Sequence, residues 1–192
     1  MSNVFRSGPS VDGTSRRTRR SGAAAKANKR RPLPFDPIEE AARQWTLRYG
    51  ETPRMRAVTS LMRVHQLVLT ELDELLRPMG LTFARYEVLV LLAFSRRGAL
   101  PLGKIGERLQ VHATSVTPLV MRLERADLIR RTPHPEDGRA VLASITPRGR
   151  AAMEEATEAI VSAQFALSAL TEDDCDHLTR MLTAPRQAAG DF

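Results

Sequence analysis

Apolar residues recur at helical spacing through most of the chain beyond residue 35, and give way to short β-branched runs only between residues 128 and 145. Near the centre, 101–109 reads as a short helix, broken at Gln110-Val111-His112, and a second helix is expected over 114–126. In that second helix Val116, Leu119, Val120 and Leu123 fall at i, i+3, i+4 and i+7 and form one buried face. The opposite face carries Thr114, Pro118, Met121 and Arg125, flanked by Ser115, Thr117 and Arg122. Hydroxyls meet either base type and Arg forks onto guanine, so this is the side-chain set of a groove-reading helix. A strand at 128–131, a loop at 132–139 with a basic tip, and a return strand at 141–145 complete the pattern. The expected fold class is therefore mostly α with a small β-hairpin wing, a winged helix-turn-helix.

The flanks are helical too. Asp36-Pro37 suits a helix start, with a short helix following through Trp45. A long helix is predicted from about Met55 to Leu76, its stripe of Val58, Leu61, Met62, Leu69, Leu72, Leu75 and Leu76 wide enough for a core or an interface. Gly80 closes it, and Thr82 caps an apolar helix over 83–95 that should be central. Beyond the wing, Thr146-Pro147 opens a helix predicted to run to about Leu170, with Met153, Ile160, Val161, Phe165 and Leu167 as its apolar contacts. Thr171 and the acids after it start a last helix, ending near Ala184. Such striped helices at both ends of a small unit have too little else to bury them. A symmetric homodimer is the economical solution, and it suits a two-fold DNA site. The expected division is a basic, disordered tail over 1–34, N-terminal dimerisation and ligand helices over 35–79, the DNA-binding unit over 80–146, and C-terminal dimerisation helices over 147–192.

Charge sharpens this picture. Residues 1–31 hold nine Lys/Arg against one Asp, 96–150 hold eleven basic and five acidic residues, and 151–192 hold two basic and eight acidic. Positive charge on the tail and the proposed DNA unit is the footprint of a nucleic-acid binder. The apolar runs are too short to span a membrane, and the first 31 residues lack the apolar stretch of a signal peptide, which favours a cytoplasmic, nucleoid-associated protein. His65, His112, His134 and His177 show no metal-ligand spacing with one another or with Cys175, and no nucleophile motif or phosphate loop is present. Neither an enzyme nor a cofactor is expected. Cys175, among Glu172, Asp173, Asp174 and Asp176, reads as an inert thiol because neighbouring carboxylates disfavour the thiolate.

The segments Leu109 through Thr117, Arg122-Leu123-Glu124, Pro133 through Ala140 and Ile145-Thr146-Pro147-Arg148-Gly149-Arg150 resemble the MarR family of bacterial transcription regulators. The resemblance covers about 53–185. It implies a homodimer on a pseudo-palindrome, a repressor released by a small ligand. It also implies DNA contacts from Thr114, Ser115, Thr117 and Arg122 on the recognition helix, and Arg125 on the same face is a further candidate contact. Arg139 would enter the minor groove at the wing tip, with Asp137 orienting it. The segments around Trp45 and from Arg77 to Glu87 look like the PecS-like branch with an extra N-terminal helix, whose members respond to urate, other anionic aromatics or tricarboxylates. That branch implies an effector pocket formed by Trp45, Asp73 and Arg85. Pro118, Met121 and Gly138 depart from the family pattern on the DNA side. With the basic tail, these departures also fit an architectural DNA-binding protein of low sequence specificity.

Overall fold

The computed structural model describes residues 32–51, 53–135 and 140–192. The tail over 1–31 and the wing-tip residues Asp137, Gly138 and Arg139 lie outside the described residues.

The chain opens with α1 (Pro37–Tyr49), whose Asp36 side chain accepts the Ile38 N–H at 2.8 Å. The cap and Pro37 sit where the sequence put them, but the helix runs one turn past Trp45 and stops at Gly50. Helix α2 (Pro53–Leu76) ends in a tight turn at Arg77–Met79, and Gly80 takes the left-handed conformation. Helix α3 (Phe83–Phe94) is capped by the Thr82 hydroxyl and by Asp73, which accepts the Phe83 N–H at 2.7 Å.

Next comes an element the sequence concealed, the strand β1 (Ala99–Pro101). It pairs antiparallel with β3 (Val141–Ile145), which also pairs with β2 (Ile129–Pro133), giving the sheet order β1-β3-β2. A three-residue strand ending in proline has no room for an alternating pattern. Its edge position makes the missing N–H tolerable. Between β1 and β2 lie α4 (Leu102–Leu109) and α5 (Ala113–Arg125). The described fold is thus a mostly helical winged helix-turn-helix with a three-stranded antiparallel wing.

The core gathers Leu72, Leu76, Leu81, Val88, Leu89, Leu92, Ile105, Val116, Val120 and Leu123 with Ala143, Met153, Ala156 and Ile160. Every major element except α1 and α7 contributes to it, and the Tyr86 hydroxyl bonds Thr157 Oγ1 at 3.0 Å to tie α3 to α6 (Pro147–Ser162).

The C-terminal part departs from expectation. Helix α6 stops at Ser162, not near Leu170, and the chain turns left-handed at Gln164, Phe165 and Ala166, with φ of 50, 53 and 59°. Neither glycine nor proline marks the spot, so nothing in the residues announces the break. Met153 and Ile160 are buried as predicted, whereas Val161 and Phe165 are exposed in the single chain. Helix α7 (Glu172–Ala188) begins with a capping box between Thr171 and Asp174 and continues past Pro185, beyond the predicted end at Ala184. It has no buried residue.

Candidate nucleic-acid interface

The α4–α5 turn is made by three local devices. Gln110 adopts a left-handed conformation (φ 53°), and the Val111 N–H reaches back to the Gly106 carbonyl at 3.1 Å. His112 then caps α5, its Nδ1 lying 3.3 Å from the Thr114 N–H nitrogen and 2.8 Å from Thr114 Oγ1. The third device is Gly106: a Cβ there would come within 3.2 Å of the Val111 carbonyl oxygen and of Val116 Cγ2, so the two helices approach closely only because this position has no side chain. His112 looked like part of an undifferentiated break in the sequence. Its capping role was readable only in hindsight, because imidazole is not a common cap.

Packing then orients α5. Val116, Val120 and Leu123 are buried, and Leu119 is half-buried beside them. Thr114, Ser115, Thr117, Pro118, Arg122 and Arg125 are exposed on the other side. Met121, expected there too, is half-buried. Pro118 lies within the helix and deprives the Thr114 carbonyl of its usual i+4 donor. The helix nonetheless continues to Arg125, and a left-handed Asp127 with a Leu128 N–H to Leu123 carbonyl bond turns the chain into β2.

A clamp the sequence did not reveal locks the wing to this helix. Arg131 on β2 pairs with Glu124 on α5 (Nη2 to Oε2, 2.6 Å), donates from Nε at 2.7 Å, and its backbone N–H reaches the other carboxylate oxygen at 3.2 Å. These bonds hold the Glu124 carboxyl below the usual carboxylate range. Behind the wing, Thr146 donates to the Asp127 carbonyl at 2.8 Å and accepts the Gly149 N–H at 2.9 Å. A Cβ on Gly149 would lie 1.9 Å from the Leu128 carbonyl oxygen. The Thr-Pro-x-Gly sequence is therefore a close crossing of α6 over the root of the wing. Past the paired strands, the His134 N–H donates to the Ala140 carbonyl at 2.9 Å.

The proposed effector residues fall into two places. Trp45 stacks against Tyr49, with centroids 4.9 Å apart, and lines an open cleft of about 360 Å³ between α1 and the start of α2. Asp73 and Arg85 sit at the far end of α2. Asp73 is 17 residues beyond Arg56, the cleft residue that pairs with Glu39, or about 25 Å at the helical rise. Within one chain Trp45 is not brought to the other two. Asp73 and Arg85 both meet the start of α3, Asp73 through the Phe83 N–H and Arg85 through its Nε, which donates to Thr82 Oγ1 at 3.1 Å. Partial burial pushes the Arg85 guanidinium below its ordinary value, the nearby Arg122 adds to the effect, and Asp73 opposes it.

Comparison with known proteins gives this geometry its context. Residues 81–141 match the model of the MarR family. The HTH-type transcriptional repressor MdtR of Bacillus subtilis is 32% identical over 132 residues, which cover 68% of this chain and 83% of that protein. The crystal structure of Sco5413, a MarR family transcriptional regulator from Streptomyces coelicolor, superposes with a TM-score of 0.68 at 49% identity, covering 73% of this chain and 98% of that one. The transcriptional regulator MOSR of M. tuberculosis, solved in complex with DNA, matches with a TM-score of 0.60 at 25% identity, covering 70% and 96%. Among the described residues no helix is long and apolar enough to cross a membrane. The chain belongs to the MarR family of transcriptional regulators, not to an enzyme class.

Proposed function

We propose that this protein is a sequence-specific repressor that binds a pseudo-palindromic operator as a homodimer and is released by a small anionic or aromatic effector. One observation carries the reading. Helix α5 turns Thr114, Ser115, Thr117, Arg122 and Arg125 away from the core, and neither arginine has an ion-pair partner among the described residues. Guanidinium groups left unpaired beside small hydroxyls suit a major groove. The Glu124–Arg131 clamp sets the wing at a fixed angle to that helix. In this reading Arg139 and Asp137 act in the adjacent minor groove. The MOSR complex with DNA is consistent with it.

The dimer is inferred from unsatisfied apolar surface. Trp45, Leu47, Tyr49, Val58, Leu61, Met62, Val64 and Leu67 are exposed on α1 and the first half of α2, and Met181 is exposed on α7. Apolar side chains left open along this stretch suit an interface with a second copy. The segments over 35–79 and 147–192 are accordingly assigned to dimerisation and 80–146 to DNA binding. For the effector, Trp45 offers an aromatic face, and Arg85 with Asp73 a switchable charge next to Arg122. In this scheme an anion bound by Arg85 neutralises positive charge near Arg122 on α5.

The test is a titration of the full chain against its own upstream intergenic DNA at physiological salt, with a scrambled duplex as competitor. A preference of about a thousandfold or more supports the regulator. Equal binding to both duplexes overturns it in favour of architectural DNA binding, with Pro118 and Met121 accounting for the lost base reading. Urate, phenolates and citrate-like acids are then screened for release.

A further inference from the structure

Helix α3 ends at Phe94, and this phenylalanine is 81% exposed, the most exposed large apolar side chain among the described residues. Immediately after it come Arg96 and Arg97, both exposed, and Arg108 on α4 lies across from them. A cleft of about 440 Å³ runs between these groups along β1, with Ala99 and Leu100 in its wall. None of the three arginines has an ion-pair partner among the described residues, although neighbouring Lys104 and Glu107 pair with each other at 2.7 Å. Strand β1 is also the outer strand of the sheet, with β3 on one side and no strand on the other.

Operator DNA is a poor explanation for this cluster. Strand β1 begins at Ala99, opposite Ser144, and runs toward Pro101, opposite Leu142, whereas the last wing pair is Pro133 and Val141. Phe94, Arg96 and Arg97 precede β1 and so lie at the root of the sheet, at the end opposite the wing tip. The inference rests on the proposed function only for the direction in which the operator lies. The chain's own segment 1–31 is also excluded by charge, since nine basic residues against one acidic would be repelled.

We propose that the cleft bounded by Phe94, Arg96, Arg97, Leu100 and Arg108 is a docking surface for an acidic, extended segment of another protein that also carries a large apolar side chain. The guanidinium groups pair with its carboxylates, bidentate where geometry permits. Its apolar side chain covers Phe94, and its backbone passes the open side of β1, where Ala99 but not Pro101 has an N–H to offer. A single-stranded nucleic acid would also accept arginine and an aromatic ring. It needs a long cationic track, however, and gains nothing from a strand edge.

The experiment measures binding of a fluorescein-labelled peptide of alternating aspartate and leucine to the full-length protein by anisotropy. Operator titrations run in parallel with the same preparations. Saturable binding is expected, weakened about tenfold or more in both Phe94→Ser and the double variant Arg96→Glu/Arg97→Glu. Operator affinity of Phe94→Ser should stay within about twofold, as this uncharged position lies away from the wing. Because all three side chains are exposed, the variants should keep the parent unfolding midpoint. Binding that is absent, or unchanged in Phe94→Ser, overturns the proposal as mere attraction to a basic protein. Tighter, variant-sensitive binding of oligothymidylate overturns it in favour of nucleic acid. A variant that lowers the assembly mass overturns it in favour of self-association. Failure of operator binding with peptide binding intact would instead overturn the proposed function and leave this cleft standing.

Discussion

The winged-helix core and the long helix α2 both carry apolar stripes, yet the single chain buries only the first in full. Val88, Leu89, Leu92, Ile105 and Val120 are wholly buried, while Leu47 on α1 is 72% exposed and α7 buries nothing. The difference is topological. Helices α3 to α6 and the sheet close on one another across short turns, so their stripes meet within the chain. Helix α1 and the first half of α2 pack mainly on each other and leave a second face open. Two helices have only one mutual seam. The first region is therefore a folding unit, and the second is half of an interface.

The sharpest way to break this comparison is to damage the core where it has no slack. Gly149→Ala places a methyl group 1.9 Å from a backbone oxygen, so α6 must lift from the wing root. A loss of about 4 kcal/mol or more is expected, or failure to fold, measured by urea unfolding and independent of protein concentration. Substituting the other region should behave differently. Leu61→Asp, on the exposed face of α2, should leave a folded chain and weaken self-association about tenfold or more, read by sedimentation equilibrium. Its midpoint should become lower and less dependent on concentration. Smaller still is Thr171→Ala, which removes the α7 cap and the 2.6 Å contact to Asp174. About 1 kcal/mol is expected, seen as faster amide exchange confined to α7.

The smallest effect concerns pH. The Glu124 carboxyl is held below its usual range by Arg131, so the folded form favours its charged state. Its contribution is present above the ordinary carboxylate value and is lost as the pH falls through the lowered folded value. Glu124→Gln should flatten that part of the stability–pH curve below the ordinary carboxylate value, with the rest of the curve preserved.

Which features the residues disclosed follows the same division. The buried face of α5, the caps at Asp36, Thr82, Thr146 and Thr171, and the β3 return strand all obey local rules, and each was legible. Strand β1 was hidden because its pairing with β3 spans more than forty residues and its three positions carry no alternation. The end of α6 was hidden because left-handed Gln164, Phe165 and Ala166 contradict their own propensities, at a cost of roughly 1–2 kcal/mol each. Only tertiary contact can hold such a turn, and part of it, Ala166, packs on the core. At the candidate interface the exposed residues of α5 were foreseen, but the Glu124–Arg131 clamp and the steric demand at Gly106 and Gly149 were not. Those depend on how closely separate elements approach, which composition and period do not encode.

The central claim is that α5 reads base sequence. It is tested most directly by titrating Arg122→Ala and the parent protein against the operator and a scrambled duplex of equal length at one salt concentration. The account predicts about a tenfold or greater loss of operator affinity, with binding to the scrambled duplex nearly unchanged. An equal loss on both duplexes would make Arg122 a phosphate contact and would contradict sequence reading by this helix.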